Sequence, residues 1–269
     1  MLSLLEATRF DGRISSEQGK TMPWLLAGEA EEGDSSVEVV AKLSGSCDLG
    51  IKSLIVEALS ALLAADLGLP VPEPFLVVLS DEFIDAVHDV EAKAVAERSC
   101  SVAFGSRRIE NCAILPRGYK LEKEQVPQAA SIFAFDGAIE NADRRCDKPN
   151  CLLSDSGIAI IDHELAFPAA CGLHLFSRLE PWKKGALREF TKLPGTHIFY
   201  ENLKGNKALD FATYIGRWNS LKDDRFDAYL AALPQEWQSQ TDVADAIVSA
   251  MREIKSNMTQ CIEEVSRVL

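Results

Sequence analysis

The stretch ENADRRCDKPNCLLSDSGIAIIDHELAF, residues 140–167, sets acidic, basic and amide side chains around two short apolar runs. The runs read as the strands of a hairpin, because Asp155, Ser156 and Gly157 between them are turn formers and the glycine accepts a positive φ without strain. Antiparallel pairing then brings Asn150, where the first strand starts, and Asp162, where the second ends, to one end of the hairpin. Asp143 lies in the loop just before it. An amide oxygen and a carboxylate are hard donors of the kind magnesium prefers, and magnesium usually keeps a nucleotide's phosphates in its shell. Asp143 is then left to accept a proton from a hydroxyl, which is the layout of a phosphotransfer site that works by positioning and charge neutralisation.

Such a site needs a Lys on an earlier strand and a Glu on the helix that follows it. VEVVAK (37–42) alternates, is rich in β-branched residues and ends on Lys42. IKSLIVEALSALLAADLG (51–68) places Leu54, Val56, Leu59, Leu62 and Leu63 on or near one helical face, carries Glu57, and has Gly68 as its expected C-cap. Prolines 70, 72 and 74 forbid a helix in LPVPEPFLVVLS (69–80) and hold the chain extended before a short strand. Order and element type both match the requirement.

Further along, residues 80–100 read as a helical excursion, VAFGSRRIENCAILP (102–116) as strand and loop, and RGYKLEKEQVP (117–127) as a polar link. The boundary between two lobes is placed there, giving residues 1–115 and 116–269. QVPQAASIFAFDGAIENAD (125–143) has the spacing of a buried helix. VADAIVSAMREIKSNMTQCIEEVSRVL (243–269) carries Val243, Ile247, Met251, Ile254, Met258, Ile262 and Val265 at spacings of three and four, and reads as one amphipathic helix.

Composition narrows the setting. A chain of 269 residues with 47% hydrophobic content can bury an ordinary core. A formal charge of −13 opposes non-specific attraction to nucleic acid or anionic lipid, and no segment concentrates Lys or Arg enough to reverse it. The seven cysteines are odd in number and never spaced CxxC, so neither a disulfide framework nor a zinc site is signalled. No apolar span reaches membrane length and no signal-peptide core is visible, so a cytoplasmic location is expected.

The chain resembles the HipA-like kinases, in particular their short bacterial branch, through VVAKLSG, IVEALSALLAADLGLPVPEP, AFGSRRI and above all the 140–167 stretch. The resemblance implies an α+β, two-lobed protein-kinase-like fold with a small β-rich N-lobe carrying one key helix and a mainly helical C-lobe. It implies a kinase that transfers the γ-phosphoryl of ATP to a hydroxyl, with magnesium and with protein Ser or Thr as acceptor. Lys42 then corresponds to the phosphate-binding lysine, Glu57 to its helix partner, Asp143 to the catalytic base, and Asn150 and Asp162 to the metal ligands. His163 and Glu164, where common protein kinases have Phe and Gly, match the Ile-Asp-His form of the metal-binding motif.

Other readings stand beside this one. Taken singly, Lys42 is a solvated strand end, Glu57 lies on a wet helix face, and Asp162 caps a helix begun by HELAF. Arg144 and Arg145 orient the loop rather than react. Gly19, Lys20 and Thr21 fail the Walker A pattern, which requires Gly where Ile14 stands, but their loop can cover phosphates through backbone N–H groups. Common kinases place the metal-binding Asn five residues after the catalytic Asp, and here that residue is Lys148. A bulge around Pro149 is expected to deliver Asn150 instead, with Lys148 facing away. The displacement also supports an inactive pseudokinase that serves as a nucleotide-dependent scaffold.

Overall fold

The computed structural model describes residues 2–14, 22–30, 36–173, 180–193 and 195–269. β1 (Ser3–Arg13), β2 (Trp24–Ala30) and β3 (Ser36–Lys42) form an antiparallel meander. In β3 the inward residues Val37, Val39 and Ala41 are buried, and the alternate residues Glu38, Val40 and Lys42 lie on the other face. The strand pleat therefore turns Lys42 out of the barrel core.

α1 (Ile51–Asp66) follows. It is apolar nearly all round and is buried accordingly, because it shares one core with residues of the later strands and with the C-terminal helices. Gly68 ends it as expected, at φ 63°, with the N–H of Leu69 bonded to Ala64 O at 2.9 Å. Arg217 also donates to Leu67 O, at 2.6 Å, tying this helix end to the C-terminal half of the chain.

β4 (Pro74–Val78) begins at the last of the three prolines. α2 (Asp81–Ala86) and α3 (Val90–Glu97) form the helical excursion before β5 (Val102–Arg107). β5 sits between β3 and β4, and β4 pairs parallel with β1, which closes a five-stranded barrel in the order β1-β2-β3-β5-β4. Nothing in the alternation of these strands announced the closure.

β6 (Ala113–Ile114), α4 (Val126–Ala138), β7 (Cys151–Ser154) and β8 (Gly157–Ile160) come next. The three strands make a small sheet, β6-β7-β8, in which Cys151 pairs with Ile160 as the hairpin reading requires. Gly157 turns at φ 109°. The remaining helices are α5 (Tyr200–Leu203), α6 (Ala212–Ser220), α7 (Asp223–Ala231), α8 (Thr241–Ser256) and α9 (Met258–Val268).

The helix expected to run unbroken over 243–269 is instead two helices, with Asn257 at φ −114° and ψ 19° between them. The Asn257 amide group donates to Glu253 O at 2.8 Å, offering the backbone an alternative to helix continuation. Ile254 and Met258 are both buried, so the apolar spacing continues across the break and conceals it. Among the described residues no helix is long and apolar enough to cross a membrane. All seven cysteines are free thiols.

Candidate active site

The hairpin is held from behind by a buried charge pair. Asp136, near the end of α4, and Arg144 are both fully buried, with Arg144 Nε donating to Asp136 Oδ2 at 2.7 Å. Arg144 Nη1 donates to Ile161 O at 3.0 Å and also to Asn150 O. One guanidinium thus grips both strand termini at the end of the hairpin where the candidate ligands sit. Asn141 donates to Asp136 Oδ1 at 2.9 Å, and His197 Nε2 lies 3.0 Å from Asp136 Oδ2. Burial alone would raise the Asp136 pKa, but Arg144 and His197 outweigh it and bring it down to about 2. The Arg pair predicted to orient the loop divides: Arg144 does so, while Arg145 reaches out to Asp147 at 2.9 Å.

His197 packs between the rings of Phe133, Phe190 and Phe199. Burial holds its pKa below the ordinary 6.5, and the opposing pull of Asp136 does not reverse this. Below the ordinary value the unfolded chain takes up a proton that the folded chain refuses, so stability should fall as pH drops from about 7 to about 5. His197→Gln, which keeps a donor toward Asp136, should flatten urea-unfolding stability across that window. Identical slopes in the two proteins would show that His197 takes up its proton equally in the folded and the unfolded chain.

In front of the hairpin, Lys42 and Glu57 form the expected ion pair between β3 and α1. The Lys42 ammonium also reaches Asp162 Oδ1 at 2.6 Å and Glu164 Oε2 at 3.5 Å. Glu57 is buried and further accepts the backbone N–H of His163 at 3.0 Å, so neither it nor Lys42 sits on a wet face. Burial would lower the Lys42 pKa, yet Asp162 and Glu57 hold it well above its ordinary value. Burial likewise opposes ionisation of Asp162, but Lys42 and Lys148 keep its carboxyl well below the usual range. Glu164 is the least compensated: burial, reinforced by Asp162 and Glu57, raises its pKa despite Lys42.

Asn150 and Asp162 both adopt positive φ, 47° and 60°. Asn and Asp tolerate that region better than other side chains, and strained backbone of this kind gathers at functional sites. Residues 163–173, directly after Asp162, form turns rather than a helix, so the capping alternative has no helix to cap.

The loop before β7 corrects one expectation. Lys148 does not face away: its ammonium lies 2.6 Å from Asp143 Oδ2 and 3.4 Å from Asp162 Oδ2. The cause is a tight turn in which the Arg145 N–H bonds Lys148 O at 2.9 Å, so the chain folds back and the long Lys stem emerges beside Asp143. Asn150 stays in the cluster, donating to Asp143 Oδ2 at 3.2 Å. Asp143 is buried between them and also meets Arg145 at 3.4 Å. Gly19, Lys20 and Thr21 lie outside the described residues.

Sequence reasoning assigned Glu164 and Lys148 no role in the site, although each stood at a signalled position, one in the metal-motif segment and one where an Asn is customary. Oxygens of Glu57, Asp162 and Glu164 lie within 4.8 Å of one another. Together with Asp143, these carboxylates outnumber the two ammonium groups among them. Hard oxygen donors with an excess of negative charge fit a hard divalent cation.

A family model for HipA-like kinases matches residues 13–181, which include barrel strands β2 to β5, α1, the 143–150 loop and the hairpin. No curated protein matches the chain. Among solved structures, a Helicobacter pylori proinflammatory kinase, CtkA, is similar with a TM-score of 0.50 and 11% sequence identity, covering 97% of this chain and 98% of that one. At that identity the likeness concerns the fold alone.

Proposed function

Since this chain belongs to the HipA-like kinase family, we propose that it transfers the γ-phosphoryl group of ATP to a hydroxyl acceptor, a protein Ser or Thr side chain, with magnesium. In this reading the molecule has two kinase-like lobes, residues 1–115 and 116–269, with the nucleotide between them. The observation that carries it is the meeting of Lys42, Glu57, Asp143 and Asp162, drawn from a strand, a helix, a loop and a hairpin exit, in one cluster.

Each residue has a task its surroundings support. Glu57, anchored by the His163 N–H, holds the Lys42 ammonium where it can bind nucleotide phosphates. Asp162 and Asn150, fixed from behind by Arg144, would hold the magnesium ion. That ion supplies charge neutralisation at the phosphates. Asp143 accepts the proton of the incoming hydroxyl, with Asn150 and Lys148 fixing its carboxylate.

Incubating the full chain with labelled ATP and magnesium tests the reading. Label should appear on protein or as free phosphate, and Asp143→Ala should lower the rate by about 10²–10⁴-fold, the usual contribution of a general base. ATP binding seen as a thermal shift, without turnover, would replace the kinase with a nucleotide-dependent scaffold.

A further inference from the structure

The proposed site holds one positively charged group that common kinases lack. In those enzymes two magnesium ions serve the phosphates, one of them held by an Asn five residues after the catalytic Asp. Here that position is Lys148. Its ammonium bridges Asp143 Oδ2 at 2.6 Å and Asp162 Oδ2 at 3.4 Å, so it lies between the proton-accepting carboxylate and the metal-binding one. The Asn two residues further on turns its amide nitrogen to Asp143, at 3.2 Å from Oδ2 and 3.4 Å from the backbone oxygen, and keeps its amide oxygen for the one ion of the proposed site.

The placement of Lys148 is fixed by the backbone. Its carbonyl accepts the Arg145 N–H at 2.9 Å, and the Cys146 N–H bonds Thr196 O at 3.2 Å, so the loop is pinned on both sides of the turn. Pro149 restricts the Lys148 backbone from the other end. The side chain is 26% exposed, with its charged end turned inward toward the two aspartates.

We propose that Lys148 takes the place of one of the two divalent cations, so that this protein binds its nucleotide with a single metal ion. The inference rests on the phosphotransfer reading. The ammonium screens the repulsion between Asp143 and Asp162 and stands where the customary Asn would help to hold a second cation. Lys148 is thus a positioning residue: it acts through the two aspartates, and its replacement alters metal stoichiometry, a quantity that a merely structural role would leave alone.

The test titrates manganese(II) into the full chain with adenosine 5′-(β,γ-imido)triphosphate and counts bound ions by electron paramagnetic resonance. Wild type and Lys148→Arg should bind one ion per chain. Lys148→Asn, which removes the charge and supplies an amide oxygen, should bind two. Because the residue is partly exposed, both variants should fold, which circular dichroism and the melting temperature check. Two ions in the wild type, or one in Lys148→Asn, would overturn the inference and leave the phosphotransfer reading standing. No ion in any of the three would overturn both.

Discussion

Asp162→Asn should lower phosphoryl transfer on the order of a thousandfold, the scale seen when one preorganised charge-stabilising group is removed from an active site. The substitution keeps the side chain's shape, and Asn is as tolerant as Asp of the 60° φ at this position. What it removes is the negative charge. In the folded chain that charge is met by Lys42 at 2.6 Å and Lys148 at 3.4 Å, neither of which loses its last partner: Lys42 keeps Glu57 and Glu164, and Lys148 keeps Asp143. No buried cation is stranded, so the folding cost should stay near that of a hydrogen bond to a charged group, about 2 kcal/mol.

The sign of that cost follows from linkage. The carboxyl of Asp162 ionises more readily folded than unfolded, so its charge stabilises the fold above the ordinary Asp range. The Asn variant should therefore melt slightly lower than wild type at neutral pH. Manganese binding in the presence of nucleotide should disappear with the activity. A variant that is unfolded at the assay temperature would mean that Asp162 is structural, and one with wild-type turnover would remove it from the site.

The parts of this site that were legible in the sequence depend on short-range rules. A period of two and a turn trio placed Asn150 and Asp162 at one end of a hairpin, and the order strand, Lys, helix, Glu placed Lys42 near Glu57. Gly68 marked a helix end because few other residues take its φ. Other features turn on longer reach or on a single dihedral. The barrel closes through parallel pairing of β1 with β4, two strands separated by β2, β3 and α1, and alternation carries no information about which edges meet. The direction of Lys148 is set by the backbone bonds of Arg145 and Cys146, which its own sequence does not announce. Asp136 hides in an otherwise apolar helix, so the sequence shows Arg144 without its partner.

That hidden pair carries the largest expected effect on stability. Arg144→Met should cost about 3–5 kcal/mol, because it leaves the fully buried Asp136 carboxylate without its cation. It also strips the donor from Asn150 O and Ile161 O. Against the 5–15 kcal/mol typical of a domain, roughly, such a loss leaves the chain marginal. Asp136→Asn in the same background removes the stranded charge, and the amide oxygen can still accept from Asn141 or from His197, so the double variant should regain at least about 1 kcal/mol over Arg144→Met in urea unfolding. Turnover should not return with it, since the two strand termini remain ungripped and Asn150 and Asp162 are free to drift from their strained conformations. An Arg144→Met loss under about 1 kcal/mol would show the pair to be dispensable. A double variant that recovers both stability and activity would show that Arg144 serves only to neutralise Asp136, and that the hairpin holds its own shape.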